Sequence, residues 1–126
     1  IQELTKGHLA IHHEKCCVCL TGYAAAQRYL ENLASHLGDT DVQERYHASE
    51  GLCLPHLVKL LSWKGWKTGR DWLIATEQKK LAALSEELEL YARKTDYQNQ
   101  KPFGKERDAW IRVLRKFAGT CHEQRA

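Results

Sequence analysis

The chain is 126 residues long, 43% hydrophobic and 28% charged, with a formal net charge of +3 at pH 7. That length suits one domain with a real core, small enough for a metal cross-link to add useful stability. So slight an excess of charge gives no argument for nucleic acid, and no run is apolar for long enough to cross a membrane.

Residues 1–15 are polar and His-rich, lack a signal-peptide core and read as an arm. The sequence opens at Ile1 and contains no Met, which predicts that something upstream was removed or lies outside it. Apolar residues then recur with a helical period: Leu20, Tyr23, Ala26, Leu30, Leu33 and Leu37 predict a long helix over 18–37, stopped at Gly38. A short helix over 41–49 follows, opened by a capping box with Thr40 as N-cap and Gln43 three residues on. Gly51 reads as its left-handed stop. The third helix covers 54–63, carries Pro55 in its first turn and breaks at Gly65. Thr68 with Asp71 reads as the next N-cap; Leu73, Ile74, Leu81, Leu84, Leu88 and Tyr91 mark a long amphipathic helix to about residue 94. A loop with Asn99, Pro102 and Gly104 leads to the last helix, where Trp110, Val113, Leu114 and Phe117 are expected to face inward before Gly119 ends it. Nothing alternates with a period of two for long, so the fold class is all-α, a bundle of about five helices. The arm 1–15, one helical domain over 16–119 and a tail over 120–126 make up the organisation.

Two short motifs carry the chemistry: Cys16-Cys17-Val18-Cys19 and Cys53-Leu54-Pro55-His56. Read as C-x-x-C and C-x-x-H, they supply three thiols and one imidazole, the ligand set of a closed tetrahedral zinc site. Two intervening residues let one tight turn aim both side chains at one ion. Each pair stands before a helical pattern, where the positive end of the helix dipole favours thiolate over thiol. Zinc at Cys16, Cys19, Cys53 and His56 would pin the start of the first helix to the start of the third. An iron–sulfur cluster with one histidine ligand is the alternative cofactor, and a redox dithiol or a disulfide uses the same thiols. A thioredoxin-like site needs strands around its C-x-x-C, and none is legible. Five cysteines, an odd number, suit a reducing compartment and a cytoplasmic location better than a disulfide framework.

The order of motifs is itself informative. A C-P-x-C-like motif precedes a helix containing Arg28-Tyr29-Leu30; then come Gly51-Leu52-Cys53-Leu54-Pro55-His56, Lys94-Thr95-Asp96-Tyr97, and the run from Pro102 through Gly104, Glu106 and Asp108 to Trp110. This succession, over roughly 16–119, resembles an uncharacterised bacterial family of small helical proteins catalogued as a domain of unknown function. The resemblance implies a shared fold and a metal-ligand set at Cys16, Cys19, Cys53 and His56, and supplies no activity. Cys17 departs from the family pattern, which commonly has proline there, and adds a thiol.

Other residues admit a functional and a plain reading. Cys17 could be a reactive thiol or substitute ligand, or a small residue tolerated at a turn. His13, with His8 and His12, could extend the metal site, or be solvated on the arm; Cys121 and His122 repeat the ligand chemistry near the C-terminal end. Lys59, Lys64, Lys67 and Arg70 interleave with Trp63, Trp66 and Trp72, a pattern that can hold phosphates while stacking bases, or can anchor a membrane surface or a partner protein. The plain reading is a helix corner whose indoles fill the core while the lysines stay wet. Glu86 and Glu87 point apart and cannot share a proton, whereas Glu106 and Asp108 are expected in the first turn of the last helix, beside its dipole. Asp96, Tyr97 and Asp108 are expected to tie the loop to that helix. No serine–histidine–acid series, phosphate loop or H-E-x-x-H is present, so enzyme activity has no positive support. The sequence thus reads as a metal-stabilised scaffold or interaction module whose partner is another protein or a larger assembly. Its rivals are a redox or electron-transfer protein and a nucleic-acid-binding protein using residues 59–72.

Overall fold

A computed structural model describes residues 17–96, 98–99 and 101–119, the side chains of 17–20 excepted. Among these residues five helices form: α1 (Cys17–His36), α2 (Thr40–Ala48), α3 (Leu54–Leu61), α4 (Arg70–Thr95) and α5 (Ala109–Ala118), with a 3-10 turn at Lys105–Asp108 before α5. Among the described residues there is no strand, and no helix is long and apolar enough to cross a membrane.

The core is made by the first four helices. On α1 and the turn that ends it the buried residues are Leu30, Ala34 and Leu37, spaced four and three apart, which is the spacing that lines one helix face. They pack with Tyr46 of α2, Leu57 and Leu60 of α3, and Leu73 of α4. Leu37 and Leu73 are wholly enclosed. Trp63, Trp66 and Trp72 pack against the rim of this cluster.

The helix ends depart from the sequence expectation in two places. Asp39, not Thr40, is the N-cap of α2: its carbonyl accepts the Gln43 N–H at 3.0 Å, and its side chain makes no cap. The Gln43 side chain donates instead to the Leu37 carbonyl at 2.7 Å, satisfying an end of α1 that the turn would otherwise leave unpaired. Gly69, not Thr68, caps α4. It has φ 85° and lies against the Leu37 backbone, where a Cβ would stand 2.8 Å from the carbonyl oxygen. Only glycine supplies both the left-handed turn and the close approach of α4 to the end of α1.

The larger departure concerns α5. Trp110, Leu114 and Phe117 do not face inward; they are 46%, 58% and 61% exposed, and Val113 is half-buried. The inward face is Ala109, Arg112 and Lys116. The cause lies on α4, whose inward face carries Glu77 and Glu87. A carboxylate buried without a cation costs several kcal/mol, so the cations of α5 take the inner face and its apolar stripe turns outward. The 3-10 turn also corrects an expectation: Glu106 and Asp108 precede α5, and Glu106 is buried.

A candidate metal centre and the polar network behind it

Cys53 is the N-cap of α3, extended at φ −68°, with Pro55 in the first turn and His56 as the third helical residue. The Leu57 N–H donates to the Cys53 carbonyl at 2.9 Å and closes that turn. The Cys53 Sγ and His56 Nδ1 consequently stand 3.2 Å apart, both side chains half-buried. That is a hydrogen-bond distance, and around a tetrahedral zinc a thiolate sulfur and an imidazole nitrogen are about 3.6 Å apart, so a small opening of the pair would suit one ion. Its fit is one of donor type as well as spacing, since both are ligands that zinc prefers.

Cys16 and His13 lie outside the described residues, as do the side chains of Cys17 and Cys19. The backbone of α1 nonetheless fixes a register. The helix starts at Cys17, so Cys19 is its third residue, the position that His56 holds on α3. One turn further along each helix, the Lys59 Nζ lies 5.4 Å from the centroid of the Tyr23 ring. Among the described residues alone, no group of three or more His, Cys, Asp and Glu side chains could hold a metal ion.

Behind Cys53 lies a network that sequence reasoning missed. Glu77 is 2% exposed. It accepts hydrogen bonds from the Tyr46 hydroxyl, from the Lys116 ammonium at 2.5 Å and from the Leu52 N–H at 3.3 Å. Leu52 N–H also reaches the Tyr46 oxygen at 3.1 Å. Burial and the bond to Glu77 push the Tyr46 phenol above its usual range. Gly51, at φ 80°, passes so close that a Cβ would meet the Glu77 carboxylate at 2.2 Å. It is left-handed as expected, but Ser49 ends α2, and the glycine serves to lead the chain past Glu77 into Cys53. The signal was present: Glu77 falls four residues after Leu73 and four before Leu81, in the middle of an apolar stripe.

Four further ion pairs hold α5 and the turn before it. Glu87 accepts from Arg112 and from Lys105 at 3.2 Å, bonds that hold its carboxyl below the ordinary value. Arg112 also binds Asp108 at 3.1 Å. Glu106 accepts from the Gly104 N–H at 2.8 Å and from Lys94 at 2.6 Å. It therefore ties the end of α4 to the loop, whereas Asp96, Tyr97 and Asp108 are expected to tie that loop to the last helix. Asp96 accepts from the Gln98 N–H at 3.1 Å, and Tyr97 is outside the described residues.

At the other corner Trp63 and Trp66 pair edge-on with centroids 6.2 Å apart, and the Trp66 indole N–H donates to the Leu60 carbonyl at 3.0 Å. Both rings are half-buried against the core, while Lys59, Lys64, Lys67 and Arg70 are exposed.

No curated protein and no solved structure matches the chain. One family does, over residues 2–124, nearly its whole length, and its description is "Family of unknown function (DUF6062)". The chain, with its Cys53–His56 pair and buried Glu77, therefore belongs to this uncharacterised family.

Proposed function

We propose that this chain is a zinc-stabilised helical scaffold that serves contact with another protein and catalyses no reaction of its own. The observation that carries the reading is the Cys53–His56 pair, set 3.2 Å apart at the start of α3, with Cys19 at the position on α1 that His56 holds on α3. Zinc would bind through the three thiolates and the imidazole and supply no chemistry beyond a cross-link. The chain's residues do the rest: the first turn of α3 brings Cys53 and His56 together, and the Glu77 network holds the backbone at Leu52 that leads into them. A cytoplasmic location, where thiols stay reduced, accords with this role.

The indoles of residues 63–72 pack on the core, which favours their structural role over base stacking. For the metal, melting separates the readings. Cys16→Ser, His56→Ala and treatment with a chelator are each expected to lower the melting temperature of the whole fold, because the metal joins two helix starts. A melting curve unchanged by all three would overturn the proposal.

A further inference from the structure

A cavity of about 720 Å³ opens between the start of α3, the middle of α4 and the end of α5. That volume is in the range of small-molecule sites. Four cations line it: Lys80 from α4, and Arg112, Arg115 and Lys116 from α5, against two carboxylates, Glu50 and Glu87. We infer that this cavity binds a small multivalent oxyanion, a phosphate- or polycarboxylate-bearing molecule, with Arg115 as its principal charge contact.

Three of the cations are held in place by the fold, and two of them, Lys80 and Arg112, retain donors. The Lys80 ammonium donates to the His47 and Ser49 carbonyls at 2.8 and 2.5 Å, which leaves the third of its three N–H bonds. Arg112 uses Nε and one terminal nitrogen on Asp108, Glu87 and the Lys105 carbonyl, and its other terminal nitrogen keeps two donors. Lys116 is held by Glu77. Such fixed donors cost a ligand little ordering entropy. Arg115 is exposed, and its guanidinium makes no hydrogen bond or ion pair among the described residues. A planar fork of this kind pairs with phosphate or carboxylate in two parallel bonds.

Burial lowers Lys80 below the ordinary lysine value, against the pull of Glu77 and with a smaller push from the Lys116 ammonium. Leu52, Ala83 and Leu84 give the same cavity an apolar wall for the body of the ligand. Cys53 and His56 also line the cavity, so a metal held there would border the anion; the charge contacts of the anion come from α4 and α5 alone.

The test is calorimetric titration of the purified protein with inorganic phosphate and with citrate, in chloride buffer at constant ionic strength. Saturable binding of at least one is expected, weakened about tenfold or more by Arg115→Gln, the scale of a lost charge-assisted bond. Lys64→Gln removes one charge at the Trp corner and is expected to leave the binding unchanged. Neither substitution touches a buried group, so both proteins should fold. Absence of binding to either anion, equal binding by Arg115→Gln, or an equal loss in Lys64→Gln would each overturn the inference, the last by showing only general attraction to a basic protein.

Discussion

Glu77 shows how one side chain governs its surroundings. Its carboxylate is enclosed, and Tyr46, Leu52 and Lys116, from three different stretches of chain, converge on it. Removing the cation while the carboxylate stays buried costs about 3–5 kcal/mol, so Lys116→Ala should lower stability by that amount in denaturant titration. Replacing an exposed cation such as Lys64 should change stability by no more than about 0.5 kcal/mol. Glu106 provides a pH dependence. The Gly104 N–H, then Lys94, pull its carboxyl from 4.5 down to about 2. A group depressed in the folded state contributes stability that is present above its unfolded value and lost as pH falls through its folded one. Glu106 therefore adds stability at neutral pH that disappears between 4.5 and about 2. Glu106→Gln should melt lower at neutral pH and lose less on acidification across that window. Parallel melting-against-pH curves for the two proteins would contradict this.

At the scale of the elements, helix positions were legible and helix orientations only in part. The apolar period placed α1 and α4 to within two residues, because leucines spaced three and four apart allow one solution. The stop of α5 at Gly119 was legible, but the N-caps of α2 and α4 were not. Thr40 and Thr68 are good N-cap types, but a tertiary contact at Leu37 recruited Gln43 and required glycine at 69. The face of α5 was misread for a related reason. Hydrophobicity alone points Trp110, Leu114 and Phe117 inward, whereas Glu77 and Glu87 on α4 demand Lys116 and Arg112 there. Charges inside the stripe of α4 could have warned of it. Two truncations measure the inversion. Leu73→Ala, at an enclosed site, should cost about 2–5 kcal/mol. Leu114→Ala, at a 58% exposed site, should cost well under half as much as Leu73→Ala, and an equal loss would mean that α5 packs the other way.

Across the whole molecule, the core and the candidate centre form a continuous unit. Leucines of α1, α3 and α4 close the core; Glu77 anchors the loop at Gly51 and Leu52; and that loop delivers Cys53 to the head of α3 beside His56. The closeness of Cys53 and His56 was readable because a C-x-x-H pair needs only one helical turn to converge. The polar network behind it was not, because it joins residues 31 and 39 positions apart. The measurement that tests the proposed centre most directly is metal analysis with X-ray absorption at the metal edge, on protein purified without air or added metal. The expected result is about one zinc per chain with three sulfur ligands at roughly 2.3 Å and one nitrogen at roughly 2.0–2.1 Å, and no visible absorption band. Iron with sulfide and a brown colour, or zinc held only by oxygen, would contradict the account.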